Sequence, residues 1–150
     1  MEKLVASLRI VLGNTFTMYF KAHSYHWNVE GVHFSQYHDF FGDIYEDVYG
    51  AVDPLSEEIR KTGVYAPISL MELYGYKTIS EDSSKPASVN EMLFNLLVAN
   101  TELLSALSTL FDIATAEKQQ GLANFVADRM DKHKKFEWQI KSSLEQAENK

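Results

Sequence analysis

With 150 residues, 45% of them hydrophobic, the chain has enough apolar mass for one buried core and too little for two, so one domain spanning 1–150 is expected. It contains no cysteine, which excludes disulfide frameworks and thiolate metal sites and suits a reducing compartment. A net charge of −7 argues against a general affinity for nucleic-acid backbones and is compatible with a surface or cavity that attracts cations.

The first thirteen residues read as the start of an amphipathic helix rather than a cleavable leader. No stretch approaches the roughly 20 consecutive apolar residues of a membrane span. A cytoplasmic protein is the expectation. The first helix runs from about Glu2 to Asn28, with an apolar stripe through Leu4, Leu8, Val11, Leu12, Thr15, Phe16 and Tyr19 that continues into His23 and His26. A turn at Gly31 follows, so close to Phe34 that the second helix must return antiparallel. That helix carries Phe34, His38, Phe41, Tyr45, Val48, Val52, Leu55 and Ile59 on one face and stops at Gly63. Pro54 lies inside it and predicts a kink beside Asp53.

Between Gly63 and Ala87 lies a connection too long for a turn, holding Pro67, Gly75 and Pro86. Ser69 and Glu72 stand in capping-box spacing and predict a short helix within it. A crossover of this length lets the third helix run parallel to the second. Ser88 and Glu91 form another capping box at the start of the third helix, Gly121 marks the next corner, and a fourth helix carries Leu122, Phe125, Val126, Arg129, His133, Phe136, Ile140 and Leu144. The end, Glu145 to Lys150, is polar and expected to fray. The fold class is all-α, a four-helix bundle with a long crossover carrying a short helix between helices two and three.

The chemistry concentrates between Lys21 and Arg60. His23, His26 and His38 lie on apolar helix faces, and Asp53 and Glu57 share one helix edge a turn apart. His38 and Asp53 are separated by about 22 Å at 1.5 Å per residue, so one metal ion has no reach to both. Two copies related by a two-fold axis, with their second helices antiparallel, would bring His26 and His38 of one opposite Asp53 and Glu57 of the other, making two equivalent sites. Other readings of single residues are structural. His33 is expected at the surface and His133 in packing or an interface. The aromatic series Tyr37, Phe40, Phe41, Tyr45 and Tyr49 is expected to pack, and the acidic run Asp39, Asp43, Glu46 and Asp47 to form a solvated face.

The pattern His23, His26, Trp27, Asn28, Gly31, Phe34, His38, Asp53, Glu57 and Arg60 resembles the signature of the Dps family (DNA-binding protein from starved cells), the mini-ferritins. The resemblance implies a ferritin-like fold and a homo-oligomer, a dodecamer built from two-fold dimers. It implies ferroxidase activity and iron storage, with ferrous iron and hydrogen peroxide as substrates and one or two iron ions (Fe2+/Fe3+) at each inter-subunit site. His26, His38, Asp53 and Glu57 would be the metal ligands, Trp27 a supporting residue that takes up stray oxidising equivalents, and His23 a supporting hydrogen-bonding residue.

Two positions depart from the family. Four residues after the third histidine, where the family often has a carboxylate, stands Gly42; Asp43 is rotated about 100° away on the helix. Counting back from Trp138, the place of a pore aspartate is Asn124, with Asp128 one turn on. The alternative function is a shell or DNA-protecting protein with weak or lost ferroxidase activity. DNA binding is expected to be weak or absent, since only Lys3, Arg9, Lys141 and Lys150 are basic near the ends. An ordinary ferritin site inside the bundle lacks its motif, because the one Glu-x-x-His, Glu30 to His33, crosses the Gly31 turn.

Overall fold

The structure, a computed structural model, describes residues 1–144, so the expected fraying of Glu145 to Lys150 lies outside the described residues. The described residues form six helices: α1 (Glu2–Asn28), α2 (Phe34–Tyr49), α3 (Val52–Lys61), α4 (Leu70–Gly75), α5 (Val89–Ala116) and α6 (Gln120–Ser143). No strand occurs among the described residues.

The predicted second helix is two helices, α2 and α3. Pro54 has no N–H to offer Gly50 and its ring crowds that carbonyl. The disturbance is absorbed one turn upstream, at Gly50 and Ala51, rather than beside Asp53. There the backbone stays right-handed and the Ala51 N–H bonds Val48 O at 3.1 Å, a tightened i to i−3 turn. The corner before α6 also moves. It falls at Glu117–Gln119, where Lys118 takes a left-handed φ of 59°, and Gly121 sits inside the first turn of α6.

Both capping boxes form. Ser69 Oγ accepts from the Glu72 N–H at 3.1 Å and Ser88 Oγ accepts from the Glu91 N–H at 3.1 Å, while each glutamate reaches back to a backbone N–H, of Ile68 and Ala87 respectively.

Side-chain ties show the path of the crossover. Gly13 lets its backbone approach α1, since a Cβ there would stand 2.9 Å from Lys77 N. Asn14, fully buried, accepts from the N–H groups of Thr78 and Ile79 at 2.7 and 3.1 Å and donates to Thr78 Oγ1 at 2.8 Å. Further along, buried Lys21 pairs with Asp82 at 3.2 Å, the Tyr25 hydroxyl donates to the same carboxylate, and Lys85 pairs with Glu30. Burial, then the Asp82 contact, pushes the Tyr25 phenol far up from its ordinary pKa.

The connection thus climbs along α1 toward its C-terminal end before α5 begins. α5 then descends to Glu117, whose carboxylate meets the Met1 ammonium at 3.2 Å. α2 and α3 descend α1 in the same sense, so α5 runs parallel to them, as the crossover length predicts.

The core joins α1 to α2, α3 and α5, and α5 to α6, through Leu8, Val11, Met18, Ile44, Ile59, Leu103, Leu107, Val126 and Ile140, each no more than 1% exposed. By length and composition α5 is, among the described residues, the one helix apolar enough to cross a membrane. Here its apolar residues Leu93, Leu96, Leu103, Leu107 and Leu110 are packed into the bundle.

Asn14→Ala would leave the two N–H groups of the crossover without partners. The expected cost is about 2–4 kcal/mol, read as a lower urea midpoint; an unchanged midpoint would show that the crossover does not depend on this amide.

Candidate metal centre

α1 ends and α2 begins within five residues, Val29–His33, and this short link places the last turn of α1 beside the first turns of α2. His26 and His38 meet there. Their rings stack with centroids 3.7 Å apart and planes 18° from parallel. His26 Nδ1 lies 2.6 Å from His38 O, and His38 Nδ1 lies 2.7 Å from His26 O. A carbonyl oxygen only accepts, so each Nδ1 carries the proton and donates it. In the neutral rings the lone pairs left over are those of both Nε2 atoms. His26 O is one of the carbonyls that a helix end leaves unpaired, and the His38 ring caps it.

His23 stands apart from this exchange. Its Nδ1 pairs with the Tyr19 hydroxyl at 2.9 Å rather than with either neighbouring histidine. The ring stacks on Tyr45 at 3.8 Å, nearly parallel, with Trp27 4.0 Å away on a tilted plane. Burial, and then the proximity of His26, lowers the His23 pKa below its ordinary value, favouring a neutral ring. Trp27 is 55% exposed at the surface beside this cluster.

Asp53 and Glu57 are exposed on α3. Among the described residues no three histidine or carboxylate groups of one chain come together to hold a metal ion. One chain therefore presents a nitrogen pair in one place and a carboxylate pair in another.

Lys21, which opens the histidine motif, belongs to the crossover anchor described above. Asp39, Asp43 and Glu46 are exposed, as are His33, Asn124, Asp128 and Trp138. Asp47 departs from the expected solvated face. Its carboxylate accepts from Arg129 Nη2 at 2.9 Å, and Arg129 is 7% exposed. Arg129 Nη2 also lies 3.3 Å from His133 Nε2, and His133 Nδ1 donates to Asn100 Oδ1 at 2.7 Å while Asn100 Nδ2 donates to His133 O at 2.9 Å.

This chain of contacts, buried at all but its Asp47 end, joins α2, α6 and α5. Sequence reading saw Arg129 and His133 on the apolar stripe of one helix, four residues apart, but had no signal pairing them with Asp47 and Asn100. A guanidinium buried among these helices opposes a divalent metal ion beside it.

The same arrangement of helices occurs in known proteins. The profile of the Ferritin-like domain family matches residues 5–149. The chain is 29% identical over 136 residues to an uncharacterized low temperature-induced protein of Nostoc sp., a match covering 89% of this chain and 75% of that protein. It is 25% identical over 145 residues to a DNA protection during starvation protein of Brevibacillus brevis, covering 96% of this chain and 97% of that protein. The crystal structure of the DPS protein from Vibrio cholerae O1, a member of a broad superfamily of ferritin-like diiron-carboxylate proteins, superposes with a TM-score of 0.90. That match has 23% identity and covers 96% of this chain and 90% of that one.

Burial, and then the Arg129 charge, pushes the His133 pKa down to about 3. As pH falls below about 6.5 the unfolded chain takes up a proton that the folded chain refuses until about pH 3, so folding loses stability through that window. Between pH 7 and 5 the loss from this group is about 2 kcal/mol. His133→Gln is expected to remove that component from the pH dependence of urea unfolding; equal slopes in the two proteins would refute it.

Proposed function

The chain belongs to the ferritin-like family and resembles its Dps members, and on that premise we propose that, as one ferritin-like domain, it assembles through two-fold dimers into a cytoplasmic dodecameric cage that oxidises ferrous iron and stores the ferric product. The supporting observation is the His26–His38 pair. Each ring commits Nδ1–H to a carbonyl, the arrangement typical of histidines that ligate a metal through the other nitrogen. Asp53 and Glu57 of a two-fold-related copy complete the donor set. Imidazole nitrogen with carboxylate oxygen suits ferrous iron.

The oxidant is hydrogen peroxide. Two ferrous ions each give one electron to the O–O bond, which breaks. With two waters the products are two ferric oxide-hydroxide units and four protons. Peroxide is consumed in a paired step without releasing hydroxyl radical, which protects the cell from oxidative damage. Trp27 takes up stray oxidising equivalents, and His23, held by Tyr19 and stacked on Tyr45, supports that aromatic wall.

Assembly has support in the surface. Leu70, Met71 and Tyr74 of α4 are 72%, 83% and 59% exposed, and no residue of that helix is buried, the condition of an apolar surface that meets another copy. DNA binding is weak or absent in this reading, given the charge of −7. Gly42 supplies no carboxylate, which leaves the second of the two irons with fewer oxygen ligands. It also favours a second reading, a shell or DNA-protecting protein with weak or lost ferroxidase activity.

Shared sites make a distinctive prediction. A cage of subunits carrying His26→Ala and His38→Ala, and a cage of subunits carrying Asp53→Ala and Glu57→Ala, should each oxidise ferrous iron slowly. Cages reassembled from an equal mixture should regain about a quarter of the wild-type sites, because each mixed dimer keeps one intact site. Absence of any recovery in cages of native mass would rule out ligands drawn from two copies, and unimpaired oxidation in both parent variants would rule out the residues.

A further inference from the structure

Position 42 lies on the buried face of α2, one turn beyond His38. A Cβ built there would stand 3.1 Å from His26 Nδ1 and 3.2 Å from His26 Cε1, closer than side-chain carbons ordinarily come. The ring has little freedom to withdraw. It is stacked on His38 at 3.7 Å, Tyr45 packs 5.2 Å from its centroid, and its Nδ1–H is held by His38 O at 2.6 Å. Glycine inside a helix is otherwise unfavourable relative to alanine, so its presence in the middle of α2 has to be matched by something local.

We propose that Gly42 is a positioning residue whose missing side chain is the seat of the His26 ring. The seat allows the reciprocal His26–His38 hydrogen bonds, which commit both Nδ1 atoms and leave the two Nε2 atoms as the nitrogens available to a metal ion. The missing side chain and the paired histidines are then one arrangement: any Cβ at 42 presses on the ring that supplies a nitrogen. A side chain placed at 42 obliges the His26 ring to shift by a few tenths of an ångström, which its stacking on His38 and its bond to His38 O resist. The metal consequence rests on the iron-site reading above, whereas the seat itself is a property of the single chain.

Two measurements on the full-length assembled protein test this separately. In the first, thermal midpoints are compared at equal protein concentration for wild type, Gly42→Ala, His26→Ala and the double variant. With the ring removed, alanine at 42 has room and its helix preference should raise the midpoint by about 2–4 °C. With the ring present, the same substitution should leave the midpoint unchanged or lower it, so that the two effects fail to add. An equal rise in both backgrounds overturns the seat.

In the second, ferrous iron is titrated anaerobically into the assembled Gly42→Asp variant. Affinity should fall about 10- to 100-fold, the usual effect of losing a group that orients a ligand; tighter binding overturns the proposal. If His26→Ala leaves ferrous binding and oxidation untouched, the iron assignment fails, and the thermal comparison alone then decides the seat.

Discussion

Two imidazoles exchanging hydrogen bonds with each other's backbone carbonyls are the constraint from which the local architecture follows. Because His26 belongs to the last turn of α1 and His38 to the early part of α2, the exchange needs a short link between those helices and close approach of their backbones. The five-residue link supplies the first. The absence of a side chain at position 42 leaves room for the His26 ring between the helices. The pair also satisfies His26 O, one of the carbonyls that the end of α1 leaves open, so one geometry serves helix termination and tautomer selection at once.

The carboxylates obey a different constraint. A helix rises about 1.5 Å per residue and α3 continues the direction of α2 through a tightened turn, so Asp53 and Glu57 are carried away from the histidines by length alone. Nothing in the packing of one chain reverses that. The proposed iron chemistry therefore belongs to the assembly, with subunit contact and catalysis a single event. The interior of the bundle, where a one-chain metal site would otherwise sit, is given over to Arg129, His133 and Asn100, with half-buried Asp47 at its edge. Buried charge of this kind is costly unless it is paired and hydrogen-bonded, and Arg129 Nη2 is paired with Asp47 while His133 and Asn100 bond each other.

The crossover shows the same economy. Its backbone lies on α1 at Gly13, and polar side chains of α1, namely Asn14, Lys21 and Tyr25, receive it. α1 is thus the common wall of the molecule. It presents its core stripe to α2, α3 and α5, binds the crossover along another side, and carries His23 and His26 near its end. A helix with that many obligations is buried around much of its circumference, which is why Ser7, Asn14, Thr15 and Thr17 are buried beside its leucines.

Periodicity, capping boxes and stop signals made the helices legible in the amino-acid sequence, because those features act within a turn or two of chain. The crossover length implied the parallel course of α5, and helical rise implied that His38 and Asp53 are remote. The histidine and carboxylate motif was legible for the same reason, as spacing on helix faces. Only the tertiary structure decided which ring nitrogens are free, since a tautomer is set by a partner twelve residues away. It alone removed Asp47 from the solvated face and set the Gly42 backbone against the His26 ring. Each of these depends on contact between segments distant in sequence, and such contacts leave no local signature for a linear pattern to carry.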